Sequence, residues 1–145
     1  MPETHYLGQV TQKALIEHEG KFLLLRYPEH HPEAGGFWDM PGGRLNEEEE
    51  PLEGLKREVR EEIGVEIEIG KPLATAVFTN LSHKKNFLVL YSARLVDPSL
   101  ELRFDPEETG GGAWLTREEI IAPDFPIYYR EHKRVVQDFL RAKAV

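Results

Sequence analysis

Residues 43–65 read GRLNEEEEPLEGLKREVREEIGV, and the rest of the chain is best understood outward from them. Between Glu47 and Glu68 stand ten glutamates, no aspartate and three cations, Lys56, Arg57 and Arg60. The whole chain of 145 residues carries a formal charge of −8, so this segment holds nearly all of the imbalance. Pro51 suits a first helical turn, Glu50 and Glu53 complement the positive end of a helix dipole, and Gly64 is a good terminator. A helix over 51–63 is therefore expected. Leu52, Leu55, Val59 and Ile63 then form one apolar stripe for the core. Glu58, Glu61 and Glu62 project from another side of the same helix. Like charges at this spacing cost a few tenths of a kcal/mol per pair. Lys56, Arg57 and Arg60 relieve part of that cost, and a bound divalent cation would relieve more. The plain alternative is a solvated glutamate-rich face, because glutamate is a good helix former.

Upstream, Val10–Glu17 and Lys21–Tyr27 read as strands joined at His18-Glu19-Gly20. Pro28–Gly36 has the composition of a loop, and Phe37–Met40 reads as a short strand before the turn Pro41-Gly42-Gly43. Downstream, strands are expected near Ile67–Thr79, interrupted around Gly70-Lys71-Pro72, and Asn86–Val96, with a tip over 80–85. Ala113–Leu115 reads as a last strand. Thr116 and Glu119 have capping-box spacing for a short helix over 117–121. A final amphipathic helix over 127–143 is expected to bury Tyr128, Val135, Val136, Phe139 and Leu140. The fold class is mixed α/β (α+β), with helices on the faces of a sheet.

Composition narrows the function. The length fits one domain with a real core, and residues 1–145 are read as a single unit. With no cysteine, disulfides, thiol catalysis and zinc–thiolate sites are excluded. No apolar run approaches the ~20 residues that span a bilayer, and the first residues lack signal-peptide character. A cytoplasmic protein without membrane partners is expected. A concentrated carboxylate cluster repels nucleic acid backbones, so no nucleic acid polymer is expected to bind. A phosphate ligand would need a divalent cation between itself and these carboxylates.

Gly43, Glu49, Arg57-Glu58, Val59, Glu61-Glu62, Gly64 and Val65, with five residues after Gly43 and seven after Glu49, match every specified position of the Nudix box. The segment thus resembles the box of the MutT-like nucleoside diphosphate-X pyrophosphohydrolases. Trp38-Asp39-Met40-Pro41-Gly42-Gly43 resembles the approach to that box, and the order of elements resembles the family along most of the chain. Gly54, where relatives commonly have alanine, is a departure that leaves the carboxylates untouched. The resemblance implies an α/β/α sandwich with a mixed sheet between helices. It also implies Mg²⁺- or Mn²⁺-dependent hydrolysis of a diphosphate linkage.

On this resemblance Glu58 and Glu62 are the first expected metal ligands, with Glu61 close behind and the Gly43 carbonyl completing the set. Glu49 and Arg57 are expected to pair and fix the loop against the helix. The general base is Glu61 or Glu108, the latter beside the Gly110–Gly112 triplet. Arg26 and Arg44 are candidate phosphate contacts. Phe78, with Phe87 and Tyr91, is a candidate for stacking on a base, although strand aromatics more often pack in the core. His30, His31 and His83 read as solvated loop residues. Leu81 stands where similar ADP-sugar hydrolases carry proline, and residues 81–83 lack the tyrosine typical of dinucleoside polyphosphate hydrolases. Nucleoside triphosphates, oxidised ones included, are the favoured expectation over those two classes. A nucleotide-sensing module without turnover, and an acidic structural or cation-buffering protein, are the competing readings; a monomer and a homodimer both fit.

Overall fold

A computed structural model of the chain describes residues 3–142. Its elements run β1 (Gln9–His18), β2 (Lys21–Arg26), β3 (Trp38–Asp39), β4 (Gly42–Arg44), α1 (Pro51–Ile63), β5 (Ile67–Thr79), β6 (Lys85–Leu95), β7 (Gly112–Thr116), α2 (Arg117–Ile120) and α3 (Arg130–Ala142). The strands form one mixed sheet along the path β3-β2-β1-β6-β5, with β4 on β1 and β7 on β2.

β1 is the axis of the molecule. Thr11–Ile16 are all buried, the signature of a strand covered on both faces. One edge pairs in parallel with β6 from Gln9 to Ile16. The other edge is shared: β2 pairs only at Glu17↔Phe22 and His18↔Lys21, while β4 pairs at Thr11, Gln12 and Lys13. The hairpin expected from sequence is therefore real but splays after two pairs, which leaves room to seat Gly42-Gly43 beside the middle of β1. The interruption expected near Gly70 is a pair of register shifts between Ile69 and Ala74.

Alternation along the strands divides the core in two. Ala14, Ile16, Leu23, Leu25, Ala93 and Leu95 pack under Leu55, Val59 and Ile63 of α1. Leu15, Leu24, Ala76, Leu88 and Leu90 pack on the opposite face under Ile120, Val135, Val136 and Leu140. The result is the α/β/α sandwich.

Three expectations need correction. Leu52 is 45% exposed, so the stripe of α1 begins at Gly54 and Leu55. Gly54 is set directly against one of the box carboxylates rather than apart from them. A Cβ there would lie 2.7 Å from a Glu49 carboxylate oxygen and 3.0 Å from Leu45. The last helix starts at Arg130, since Ile127 bridges to Trp38 as extended chain; Tyr128 and Phe139 are only partly buried. Lys143 lies outside the described residues.

Candidate active site

The site is built where β4 meets α1. Gly42 has φ +137°, and a Cβ there would sit 2.1 Å from the Gln12 carbonyl oxygen, so only glycine lets β4 lie this close to β1. At Gly43 an added Cβ would fall 2.6 Å from the Glu58 carboxyl carbon. The missing side chains bring backbone against two carboxylates of the helix. The Gly42 N–H donates to Glu62 Oε1 at 2.7 Å, and Gln12 Nε2 donates to the Pro51 carbonyl at 2.7 Å. Helix α1 is thus tied to the central strand at both its beginning and its chemistry.

Arg57 organises the acidic face. Its Nε and Nη2 donate to the two Glu49 oxygens at 2.6 and 3.1 Å, a bidentate pair. Nη2 lies 3.2 Å from Glu58 Oε1, and Nη1 lies 3.3 Å from both Glu61 oxygens. The Asn46 N–H also donates to Glu49 at 3.0 Å. The Arg57 and Asn46 hydrogen bonds hold the Glu49 carboxyl below its ordinary range, and Glu49 in turn tightens the Arg57 proton. Lys56 and Arg60 pair with Glu53 and Glu66 instead, away from the cluster.

Glu58 and Glu62 behave differently. Burial pushes the Glu58 carboxyl up; Arg57 pulls it down and Glu61 pushes it up further. Burial pushes Glu62 up to about 8, with Glu58 and Asp39 adding to the shift and Lys13 and the Gly42 N–H opposing it. Two half-buried carboxylates that resist ionisation mark a place where negative charge is crowded and a cation would be welcome. Among the described residues no three histidine, aspartate or glutamate side chains converge into a ready cage. The donor set still suits a small hard cation, which binds through one or two carboxylates and keeps several waters.

Two cavities meet here. One of about 960 Å³ is lined by Gly43, Arg44, Glu47–Glu49, Glu58 and Glu108, together with the start of β1. A smaller one of about 120 Å³ is lined by Lys13, Arg26, Tyr27, Asp39, Gly42, Glu62, Glu108 and Thr109 among others. Glu108 borders both. Its loop is anchored by the buried Thr109, whose hydroxyl donates to the Arg26 carbonyl at 3.1 Å.

The other expected residues fall as follows. Glu61 is exposed and braces Arg57. Arg44 stands exposed at the rim of the large cavity, with no ion-pair partner among the described residues. Arg26 is engaged by the Gly36 carbonyl and Glu29, both at 3.3 Å, and its guanidinium lies 5.4 Å from the Trp38 ring centre. Phe78 is no exposed platform. It is 5% exposed, with its ring against His132 at 4.5 Å and Tyr129 at 5.0 Å, because Ala74, Ala76 and Phe78, beyond the register shifts of β5, face the α3 core. His31 Nδ1 accepts from the Ala34 N–H at 3.0 Å and caps its loop.

A buried polar knot beneath the site went unread. Lys13 Nζ lies 3.5 Å from Asp39 Oδ2 and donates to the Gly42 carbonyl at 3.4 Å. Asp39 sits 3.0 Å from His132 Nδ1 through both oxygens and accepts from the Tyr27 hydroxyl at 3.1 Å. Burial pulls the Lys13 proton affinity down, but Asp39, Glu62 and Glu58 outweigh it and the net shift is upward. Burial pushes the Asp39 carboxyl up, yet His132 and Lys13 leave it well below its usual range. The available signal was the polar run Thr11-Gln12-Lys13 leading directly into Ala14-Leu15-Ile16 in a strand.

Comparison with known proteins agrees with this geometry. The family model described as NUDIX domain matches residues 10–139. A CTP pyrophosphohydrolase of Escherichia coli is 39% identical over 62 residues, which cover 43% of this chain and 45% of that protein. An 8-oxo-dGTP diphosphatase of Proteus vulgaris is 41% identical over 51 residues, covering 35% and 44%. The chain thus spans less than half the length of these curated relatives. The crystal structure of a MutT protein from Methanosarcina mazei Go1 is 29% identical, covers 94% of this chain and 96% of its own, and superposes with a TM-score of 0.78. Nudix proteins are hydrolases of pyrophosphate bonds and generally use divalent metal ions. With the family model spanning most of its length and the same fold throughout, this chain belongs to the Nudix family.

Proposed function

We propose that residues 1–145 form a single hydrolytic domain that uses Mg²⁺ or Mn²⁺ to cleave the diphosphate linkage of a nucleoside diphosphate-X. Nucleoside triphosphates and oxidised nucleotides are the favoured substrates. The observation that carries this reading is the pair Glu58 and Glu62, pressed against Gly42-Gly43 and bordering two cavities that share Glu108. The names of the CTP and 8-oxo-dGTP relatives point to the same substrate class.

Glu58, Glu62 and the Gly43 carbonyl would hold the cation. When bound, such an ion neutralises a pyrophosphate and lowers the pKa of a coordinated water. The chain's own residues do the rest. Arg57 fixes Glu49, Glu58 and Glu61 and so positions the loop before the helix against the helix itself. Arg44, exposed at the rim, contacts the phosphates. Glu108 takes the proton of the attacking water. Both cavities adjoin it, whereas Glu61 is committed to Arg57 and serves as a brace and reserve ligand. Gly110–Gly112, directly after Thr109, let that loop close over substrate.

The test is turnover of a nucleotide panel with Mg²⁺ or Mn²⁺. Charge stabilisation by a metal is worth several kcal/mol, so Glu62→Gln should lower kcat/KM by about 10³-fold. Glu108→Gln should lower it by about 10²-fold, and Glu61→Gln by less. Saturable nucleotide binding without turnover in the unaltered protein would replace this reading with a sensor module.

A further inference from the structure

Among the described residues, one buried side-chain nitrogen or oxygen has no hydrogen-bond partner: Nε2 of His132. Its ring is 1% exposed, and its other nitrogen is committed to Asp39. Leaving a buried polar atom unpaired costs about 1–3 kcal/mol, so such an atom calls for an explanation. His132 also lines a cavity of about 170 Å³ with Thr11, Lys13, Arg44, Phe78 and Tyr129. Gly43 and Arg44 belong both to this cavity and to the large acidic one, so the two are contiguous.

The lining has a definite hydrogen-bond polarity. A carboxylate only accepts, so the proton between His132 and Asp39 belongs to Nδ1, and in the neutral ring Nε2 is an acceptor. The Tyr129 hydroxyl oxygen accepts from the Leu81 N–H at 3.1 Å, which leaves its own proton to donate. Lys13 meets Asp39 and Gly42 and retains a third N–H. One acceptor beside two donors is the complement of a ring N–H flanked by a carbonyl. Phe78 and Tyr129 supply the apolar walls.

We propose that His132 is a specificity-determining residue that reads the substrate's base, with Nε2 accepting from the ring N–H of a lactam edge of the kind guanine and uracil present. The inference rests on the nucleotide reading above and adds to it which bases the site prefers. Asp39 and Lys13 act as positioning residues that hold the imidazole in the accepting tautomer.

The experiment uses the full chain with ¹⁵N-labelled histidine, without metal, at mildly alkaline pH. Guanosine and uridine 5′-monophosphates should shift the His132 Nε2 resonance, and their ring-N-methylated derivatives should not. An Nε2 resonance that ignores every nucleotide at saturation, or answers equally to the methylated ones, overturns the proposal and leaves a water-filled cavity. In kinetics, His132→Asn keeps a donor for Asp39 but has no atom at Nε2. It should raise KM for guanine and uracil nucleotides about tenfold, the worth of one hydrogen bond, and flatten the preference among bases. Equal losses on all bases, tracking the melting temperature, would mark a structural role and also overturn it. The two readings fail separately: turnover with an indifferent Nε2 defeats only this inference, while an Nε2 response without turnover of any nucleotide defeats only the proposed activity.

Discussion

Helices α1 and α3 are each 13 residues long and each roofs one face of the same sheet, yet they handle polarity in opposite ways. α1 buries Gly54, Leu55, Val59 and Ile63 and carries its charges on the outside, where Arg57 gathers Glu49, Glu58 and Glu61. α3 buries two polar side chains, His132 and Gln137, among Val135, Val136 and Leu140. His132 reaches Asp39, and Gln137 Nε2 donates to the carbonyls of Ile120 and Ala122 at 2.9 and 3.0 Å. Charge that meets solvent is cheap to keep and free to act on a ligand. Polarity sealed in the core is held by fixed partners, as His132 Nδ1 is by Asp39 and Gln137 by its two carbonyls, so it fixes geometry, and only His132 Nε2 among these side-chain atoms is left over for a ligand.

The difference can be broken by deleting one cation from each side. Arg57 is 26% exposed and its partner Glu49 18%, whereas Lys13 and Asp39 are 10% and 7% exposed at the side chain. Lys13→Met strands Asp39 and Glu62 in a poorly hydrated interior and should cost about 3–5 kcal/mol of unfolding free energy. Arg57→Met should cost about 1 kcal/mol, since partly exposed ion pairs contribute little to stability. Denaturant midpoints of the two variants decide it. Equal losses would mean that the knot under the site is as well hydrated as the helix face above it.

A second, smaller effect separates the carboxylates by pH. Burial raises Glu62 from 4.5 to about 8 in the folded chain. Between those values the folded state holds a proton that the unfolded state has lost, so stability is greatest below the lower value and falls as pH rises through the upper one. The part of this lost by neutral pH without metal is of order 3 kcal/mol. Glu49 is shifted the other way and contributes stability above its unfolded value that fades only as the pH falls towards acid. Melting curves across neutral pH should therefore slope downward in chelator. Millimolar Mg²⁺ should flatten them, and Glu62→Gln should abolish the slope. A flat curve in chelator would show that Glu62 is ionised without help.

The contrast between the helices also explains what could be read from sequence. The partners that shape α1 lie near it in the chain: Glu49 is eight residues from Arg57, and Gly42 twenty from Glu62. The bounds of α1 and its carboxylate cluster were therefore visible in spacing and periodicity. The knot is not local. Asp39 and His132 are 93 residues apart, and Lys13 and Gly42 are 29 apart. No periodicity reports such pairs, and a lone buried histidine on an amphipathic helix looks like any other polar residue in the pattern. The side to which Phe78 turns is out of reach of the pattern for the same reason. Strand alternation says that a side chain faces one side, but which side carries α3 is decided by the crossover between β1 and β6. The hairpin was legible at its turn, where Glu19 and Gly20 have φ of 51° and 78°, but its early splaying depends on β4 arriving from the far side.

The smallest expected effect bears on the same helix. A spacing of three and four residues puts Leu52 on the stripe with Leu55, yet Leu52 is 45% exposed and Leu55 fully buried. The first turn of α1 leaves Leu52 facing outward, with its Pro51 carbonyl held by Gln12 and Gly54 set against Glu49 and Leu45. Leu52→Ala should then change stability by no more than about 0.5 kcal/mol, the usual range for a surface site. Leu55→Ala should cost about 2–5 kcal/mol by opening a cavity against β1 and β2. If both variants unfolded at similarly lowered denaturant, Leu52 would be covered in solution, and the helix would bury its side chain as periodicity alone requires.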